Sequence, residues 1–369
     1  MAGFIKAKKY DWKDTNLALF GSDTEKQVKK ASAQTEPAWK NAGQKPGLQI
    51  WRIVKFKVVG WPKESYGQFF NGDSYIILNT YTEEGTDALL FDVHFWIGQY
   101  STQDEYGTAA YKTVELDTFL DDVPIQHREV QGHESGLFRS YFSTITYLNG
   151  GADSGFRHVR PEEYNPRLFH FHGDRTQVTV NEIPRSRDLL DSTDVYIMDL
   201  GLQIYQWNGK GANKDEKFKA SRYLQDMKSY RGKAQAEVLD EDDTEETHEF
   251  YRHLDESAED ADFHRSDQVT KIPSQKKLYR LSDASGSMKF TLEKSDKIEM
   301  SHFDTNDVFI LDTTKEVFVW IGKKTTKYEQ HNALSYAHKY LQTSPNPLMP
   351  VSCLKEGVKN KYFIQAVAA

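Results

Sequence analysis

The chain has 369 residues, 47 Lys plus Arg against 55 Asp plus Glu, and a net charge of −8. That length calls for two or three domains, and 38% hydrophobic with 28% charged residues describes a chain able to bury several cores rather than a disordered one. The acidic balance argues against nucleic acid or an anionic membrane as the main partner, since either requires a basic face.

A single cysteine, Cys353, rules out an internal disulfide framework, and no zinc-ligand spacing is present. Met1–Lys6 carries no apolar core of signal-peptide length and does not open as Met-Gly, and no stretch approaches a transmembrane span. The expected compartment is the cytoplasm.

Taken in chain order, residues 1–47 are polar and read as an N-terminal extension. A strand-like run, Leu48–Ile53, follows, and then a polar turn into the apolar strand Gly72–Leu78. Tyr81–Gly85 reads as a hairpin turn. A second aromatic strand closes on Trp96-Ile-Gly98, and a helix begins near Glu105 and runs to Asp122. The same order returns twice. Arg167–Phe171, Thr193–Met198, Trp207-Asn-Gly209 and a helix from Glu216 to Tyr230 form the second copy. Lys277–Leu281, Asn306–Leu311, Trp320-Ile-Gly322 and a helix from Tyr328 to Leu341 form the third.

The three Trp residues stand 111 and 113 positions apart, and so do Glu105, Glu216 and Glu329. Such self-similarity marks internal repeats. We read an α+β chain with domains at 48–155, 156–262 and 263–369. Gly150–Gly155 forms a joint between the first two. The stretch Glu237–Asp262, with thirteen acidic residues and one Arg, reads as a solvated linker.

In each copy an Asp starts a strand (Asp73, Asp194, Asp307) and a Glu starts the long helix. Singly these are turn and capping residues. Their joint recurrence suggests calcium (Ca2+), which takes carboxylate and backbone-carbonyl oxygens. The carbonyl before each Asp, on Gly72, Thr193 or Asn306, is a further candidate ligand. On the first long helix Tyr106, Ala109, Ala110, Leu116 and Leu120 form the expected core face. Gly107, Tyr111, Val114 and Thr118 make a second, weakly polar stripe suited to a partner; a wider core face is the alternative. The second helix carries Lys217, Lys219, Arg222, Lys228 and Arg231. His170-Phe-His172 has strand spacing that can put both rings on one side, although two ligands alone make a thin metal site. Enzyme signatures are absent from the sequence: there is no P-loop, dinucleotide fingerprint or nucleophile elbow.

Several long motifs resemble the gelsolin family of actin regulators: Glu36–Ile53, Tyr66–Leu78, the Gln103-Asp-Glu105 helix start and Gln126–Gly132. The likeness covers residues 15 to 367, and three copies with a short extension look like its severin and fragmin branch. The resemblance implies, in each copy, a central mixed sheet of about five strands between one long and one short helix. It implies calcium-dependent severing of actin filaments, capping of their barbed ends and nucleation, with actin monomer and filament as partners and the cytoskeleton as location. A capping or monomer-binding protein unable to sever is the nearer alternative.

Carried over by the same resemblance, Gly72, Asp73, Glu105 and the Ala152 carbonyl would form the first calcium site. Thr193, Asp194 and Glu216 would form the second, and Asn306, Asp307 and Glu329 the third. Asp117 would join a further calcium ion shared with actin. The Gly107, Tyr111, Val114 and Thr118 stripe would enter the actin cleft, while Arg175, Lys217 and Arg222 would hold the filament side. The lysine-rich phosphoinositide segment of relatives corresponds to Ser143–Asn149, which has no basic residue, and the next candidate keeps only Arg175. This argues against lipid regulation. Val195 and Asn208 stand where secreted relatives have a cystine, in keeping with a reducing compartment.

Overall fold

Parallel neighbouring strands cannot be joined by a hairpin, and in each repeat the long helix makes the crossover. The computed structural model describes residues 33, 35–83, 87–151, 166–175, 177–231, 234–254 and 275–368. Helix α1 (Gln103–Phe119) links the parallel strands β5 (Leu89–Ile97) and β6 (Ile125–Val130). Helix α3 (Lys214–Arg231) links β11 (Gln203–Asn208) and β12 (Gln235–Asp240). Helix α5 (Lys327–Thr343) links β16 (Val317–Ile321) and β17 (Val351–Lys355).

The chain divides into two units. One contains a ten-stranded sheet. Its first-repeat half consists of β6, β5, β4 (Ser74–Thr82), β1 (Gly47–Val54) and β2 (Lys57–Gly60). Its third-repeat half consists of β14 (Lys289–Ser295), β13 (Lys277–Ser282), β15 (Val308–Asp312), β16 and β17. The halves join where β17 runs antiparallel to β6, through Val351 opposite Arg128, Ser352 opposite His127 and Cys353 opposite Gln126. Below that seam His127 Nδ1 meets Ser352 Oγ at 2.7 Å and His127 Nε2 meets Asp92 at 3.0 Å.

The other unit contains a seven-stranded sheet in the order β12, β11, β10 (Val195–Asp199), β8 (Arg167–Gly173), β9 (Val178–Ile183), β7 (Thr146–Leu148) and β3 (Gln68–Phe70). Two of its strands, β3 and β7, come from the segment expected to belong wholly to the first domain. They pair here because β9 offers an edge, on which Thr146 lies opposite Val180.

Each five-stranded set is covered on both faces. Ala109 and Leu116 of α1 pack on Trp51, Ile76 and Val93, while Phe138 of the short helix α2 (Gly136–Ser140) meets His94 on the other face. In the second repeat Ala220 and Leu224 cover Phe169 and Phe171; Phe250, on the one-turn helix α4 (Glu249–Arg252), stacks on Trp207 with ring centroids 6.1 Å apart. In the third, Ala333, Ala337 and Leu341 cover one face, and Phe363 and Val367 of α6 (Lys361–Ala368) the other.

Two expectations are corrected. The polar extension stops short of Glu36. Trp39 is fully buried, edge-on to Trp51 at 5.0 Å, and its indole donates to Glu115 at 2.9 Å. Lys112 then ties Glu36 to Glu115. One apolar side chain outweighs the polar residues around it, because a buried Trp contributes more than any of them costs at the surface.

The acidic stretch is likewise not a linker as far as Leu254. It forms β12, a turn and α4, with Leu239, Phe250 and Leu254 buried while most of its carboxylates point to solvent. Residues 255–262 lie outside the described residues, as do Ala152–Gly155 of the expected joint and residues 84–86 of the hairpin tip.

Candidate metal centre and partner-binding face

The recurring Asp precedes the first residue of β4, β10 and β15, and all three are buried, with exposures of 0, 4 and 3% for Asp73, Asp194 and Asp307. The Trp-x-Gly motif explains their fixed position. The backbone N–H groups of Gly98, Gly209 and Gly322 donate to the carbonyls of Asp73, Asp194 and Asp307 at 2.9, 2.9 and 3.2 Å. A Cβ at Gly209 would lie 2.3 Å from the Ser192 carbonyl oxygen, and one at Gly322 2.3 Å from that of Thr305. Only glycine admits so close a backbone approach.

A buried carboxylate requires a partner, and each Asp takes one from the first strand of its repeat. Arg52 on β1 pairs with Asp73. Arg280 on β13 donates from Nε to Asp307 at 2.8 Å. In the second repeat the partners are His170 Nε2 at 2.7 Å and His172 Nδ1 at 2.8 Å, both on β8. Sequence reasoning missed this counter-charge. The signal was there in the basic or imidazole residue at the same step of Trp-Arg-Ile, Phe-His-Phe and Tyr-Arg-Leu. Burial opposes ionisation of Asp194, but the hydrogen bonds from His170 and His172 outweigh it and hold its carboxyl below the usual range.

Glu216 and Glu329 sit at helix starts, also buried. Glu216 accepts the N–H groups of Gly173 at 2.9 Å and Asn213 at 3.0 Å. Glu329 accepts those of Asp283 at 2.9 Å and Thr326 at 3.0 Å, and Thr326 returns the bond in a capping box. Both therefore do structural work, fastening the end of the first strand to the helix. Burial, reinforced by the charge of the recurring Asp, pushes both carboxyls above their ordinary value.

These residues suit a hard divalent cation. A buried Asp whose charge raises the pKa of the nearby Glu makes a pair of oxygen donors which positive charge would stabilise. In the second repeat Thr193, Asp194 and Glu216 share an open cleft of about 520 Å³ with His172 and Asn213. Thr193 and Asn306 are exposed beside their Asp, and Gly72 is half-buried, its N–H held by the Gly150 carbonyl at 2.8 Å. Glu105 lies in the first turn of α1, but its side chain, like Ala152, falls outside the described residues.

On α1, Gly107 and Tyr111 are exposed while Val114 and Thr118 are half-buried. Tyr106, expected in the core, is 38% exposed. The buried line runs instead through Ala109, Thr113 and Leu116, and Tyr106 lies before it begins. Asp117 is not on the exposed stripe: it is buried, accepts from Gln126 at 2.8 Å and faces Cys353. Burial, and then the charge of Asp117, pushes the Cys353 thiol up to about 12, which keeps it protonated and poorly nucleophilic. In the second repeat Arg175 and Arg222 are exposed and Lys217 half-buried. Next to Lys217, Phe218 is 71% exposed, an apolar group on that face that sequence reasoning passed over.

A family profile described as the gelsolin repeat matches residues 55–139, 176–251 and 289–364, once per structural repeat. The chain belongs to the gelsolin family. It is 54% identical over 371 residues to gelsolin-like protein 1 of Lumbricus terrestris, covering 100% of this chain and 99% of that protein. It is 45% identical to severin of Echinococcus granulosus over 96% of each chain. Gelsolin of Gallus gallus is 39% identical over 83% of this chain, which corresponds to 40% of the longer protein. The three-repeat organisation is therefore that of the severin type. Among the described residues no helix is long and apolar enough to cross a membrane.

Proposed function

We propose that this gelsolin-family protein binds actin, severs filaments and caps their barbed ends under calcium control, and that it nucleates polymerisation. The observation that carries this reading is the end-to-end agreement, three gelsolin repeats in order, with a severin of the same length class. The exposed Gly107 and Tyr111 on α1 supply a surface for the first repeat, and Arg175, Lys217, Arg222 and Phe218 supply one for the second.

Bound calcium would supply the positive charge that lets the Asp and Glu of one repeat stay ionised together. Asp73 and Asp307 would then no longer need Arg52 and Arg280, and β1 and β13 would be freed from that tie. Two actin-binding repeats on one chain raise each other's effective concentration at the filament. The helix of the first repeat would then replace contacts between neighbouring subunits without covalent chemistry. Labelled filaments imaged with and without micromolar calcium test the proposal. Shortening confined to calcium is the expected result, and unchanged lengths in calcium would overturn it.

A further inference from the structure

We propose that the second repeat holds a site for a borderline divalent metal of the zinc class, with His170, His172, Asp194 and Glu216 as its ligands. The first and third repeats place Arg52 and Arg280 against their Asp. Guanidinium cannot ligate a metal, whereas neutral imidazole is among the commonest ligands of zinc, copper and nickel. Exchanging arginine for two histidines at this step changes the donor set from oxygen alone to mixed nitrogen and oxygen.

The geometry is close to what such an ion requires. His170 and His172 stand two residues apart on β8, so their rings project to one side. The ligand atoms of His170, His172 and Asp194 all lie within 4.8 Å of one another. Zinc bonds of about 2.0–2.1 Å put neighbouring ligand atoms of a tetrahedron about 3.3 Å apart. The separations here straddle that value: 2.7 Å for His170 to Asp194, 2.8 Å for His172 to Asp194 and 3.9 Å for His172 to Glu216. Adjustments of about half an ångström, well within the reach of side-chain torsions, would seat the ion.

Orientation and access agree. Stacking on Tyr196, at 4.8 Å and 15°, fixes the His170 ring. The His172 side chain is 50% exposed and lines the cleft with Asp194 and Glu216, so an ion can enter from solvent. A second His-His-Glu group, His94, His127 and Glu129, lacks this property: all three are buried, with their polar atoms bonded to one another, to Asp92, Ser135, Tyr141 and Ser352.

In this repeat zinc would take Asp194 and Glu216 in place of calcium; the inference does not depend on the actin reading, nor on calcium occupying the other repeats. The test is zinc titration of the full-length chain, freed of calcium, in competition with a chromophoric chelator, alongside cobalt substitution read by visible absorption. One zinc per chain and tetrahedral-intensity cobalt bands are expected. His172→Gln, at a half-exposed side chain that leaves the core untouched, should weaken zinc binding at least about tenfold, the scale on which even groups supporting the ligands act. His170→Gln should do the same with unchanged circular dichroism. No stoichiometric zinc binding, or equal zinc affinity in wild type and His172→Gln, would overturn the site. Calcium binding to the third repeat, measured separately on Glu329→Gln, bears only on the calcium reading.

Discussion

Glu129 lies on β6 with no exposure, its Oε2 accepting the Ser135 N–H at 2.7 Å and its Oε1 meeting Ser135 Oγ at 2.7 Å and His94 Nδ1 at 2.9 Å. Burial pushes its carboxyl from an ordinary 4.5 up to about 7, against the opposing charge of His127 and the bonds from Ser135. Because the folded value exceeds the unfolded one, the native protein keeps a proton through a window in which the unfolded chain has released it. The associated stability is fully present below the unfolded value and is lost as pH rises through about 7. At about 1.4 kcal/mol for each tenfold step this comes to about 3 kcal/mol. Glu129→Gln keeps the shape and an acceptor for the Ser135 N–H but has no proton to lose. Hydrogen exchange of β6 amides, corrected for intrinsic rates, reads the local opening free energy. Between about pH 4.5 and 7.5 the wild type should lose about 3 kcal/mol more than Glu129→Gln. Glu129 and His127 act on each other's ionisation, so the difference reads this carboxyl together with its coupling to that imidazole. Parallel pH profiles would refute the argument.

Trp39→Ala should destabilise the first repeat by about 3–5 kcal/mol, read by denaturant unfolding; a loss below about 1 kcal/mol would mean that Trp39 is not part of that core. Gly322→Ala should cost about 1–3 kcal/mol through its clash with the Thr305 carbonyl, whereas Gly60→Ala, with nothing within 4 Å of the added Cβ, should be nearly neutral by the same assay. Arg280→Gln should tighten calcium binding to the third repeat while lowering calcium-free thermal stability, because it removes the group that competes for Asp307; unaltered calorimetric affinity would count against that competition.

The repeat structure was legible because Trp-x-Gly, the strand-opening Asp and the helix-opening Glu are local features, each tied to one backbone step. The long helices observed at 103–119, 214–231 and 327–343 start and stop close to where apolar spacing put them. Partnerships between distant strands left no such trace. Nothing local in Ile125–Val130 or Val351–Lys355 announces that these two strands will pair. The acidic run misled because charge was counted over a window in which only Leu239, Phe250 and Leu254 decide the fold. At the candidate centres the carboxylates were visible, but their neutralising partners stand some twenty residues upstream, on another strand.

Among the described residues, joining two five-stranded sets through β6 and β17 leaves only β2 and β14 as open edges of the larger sheet. Should the three residue pairs of that seam part, two fresh edges would appear, each a template for a strand from another molecule. The polar run Gln126-His127-Arg128 on one side blunts that hazard, but Val351 and Leu354 on the other do little to deter it. An opened molecule without a partner over these edges would be prone to self-association, so the seam serves solubility as well as architecture.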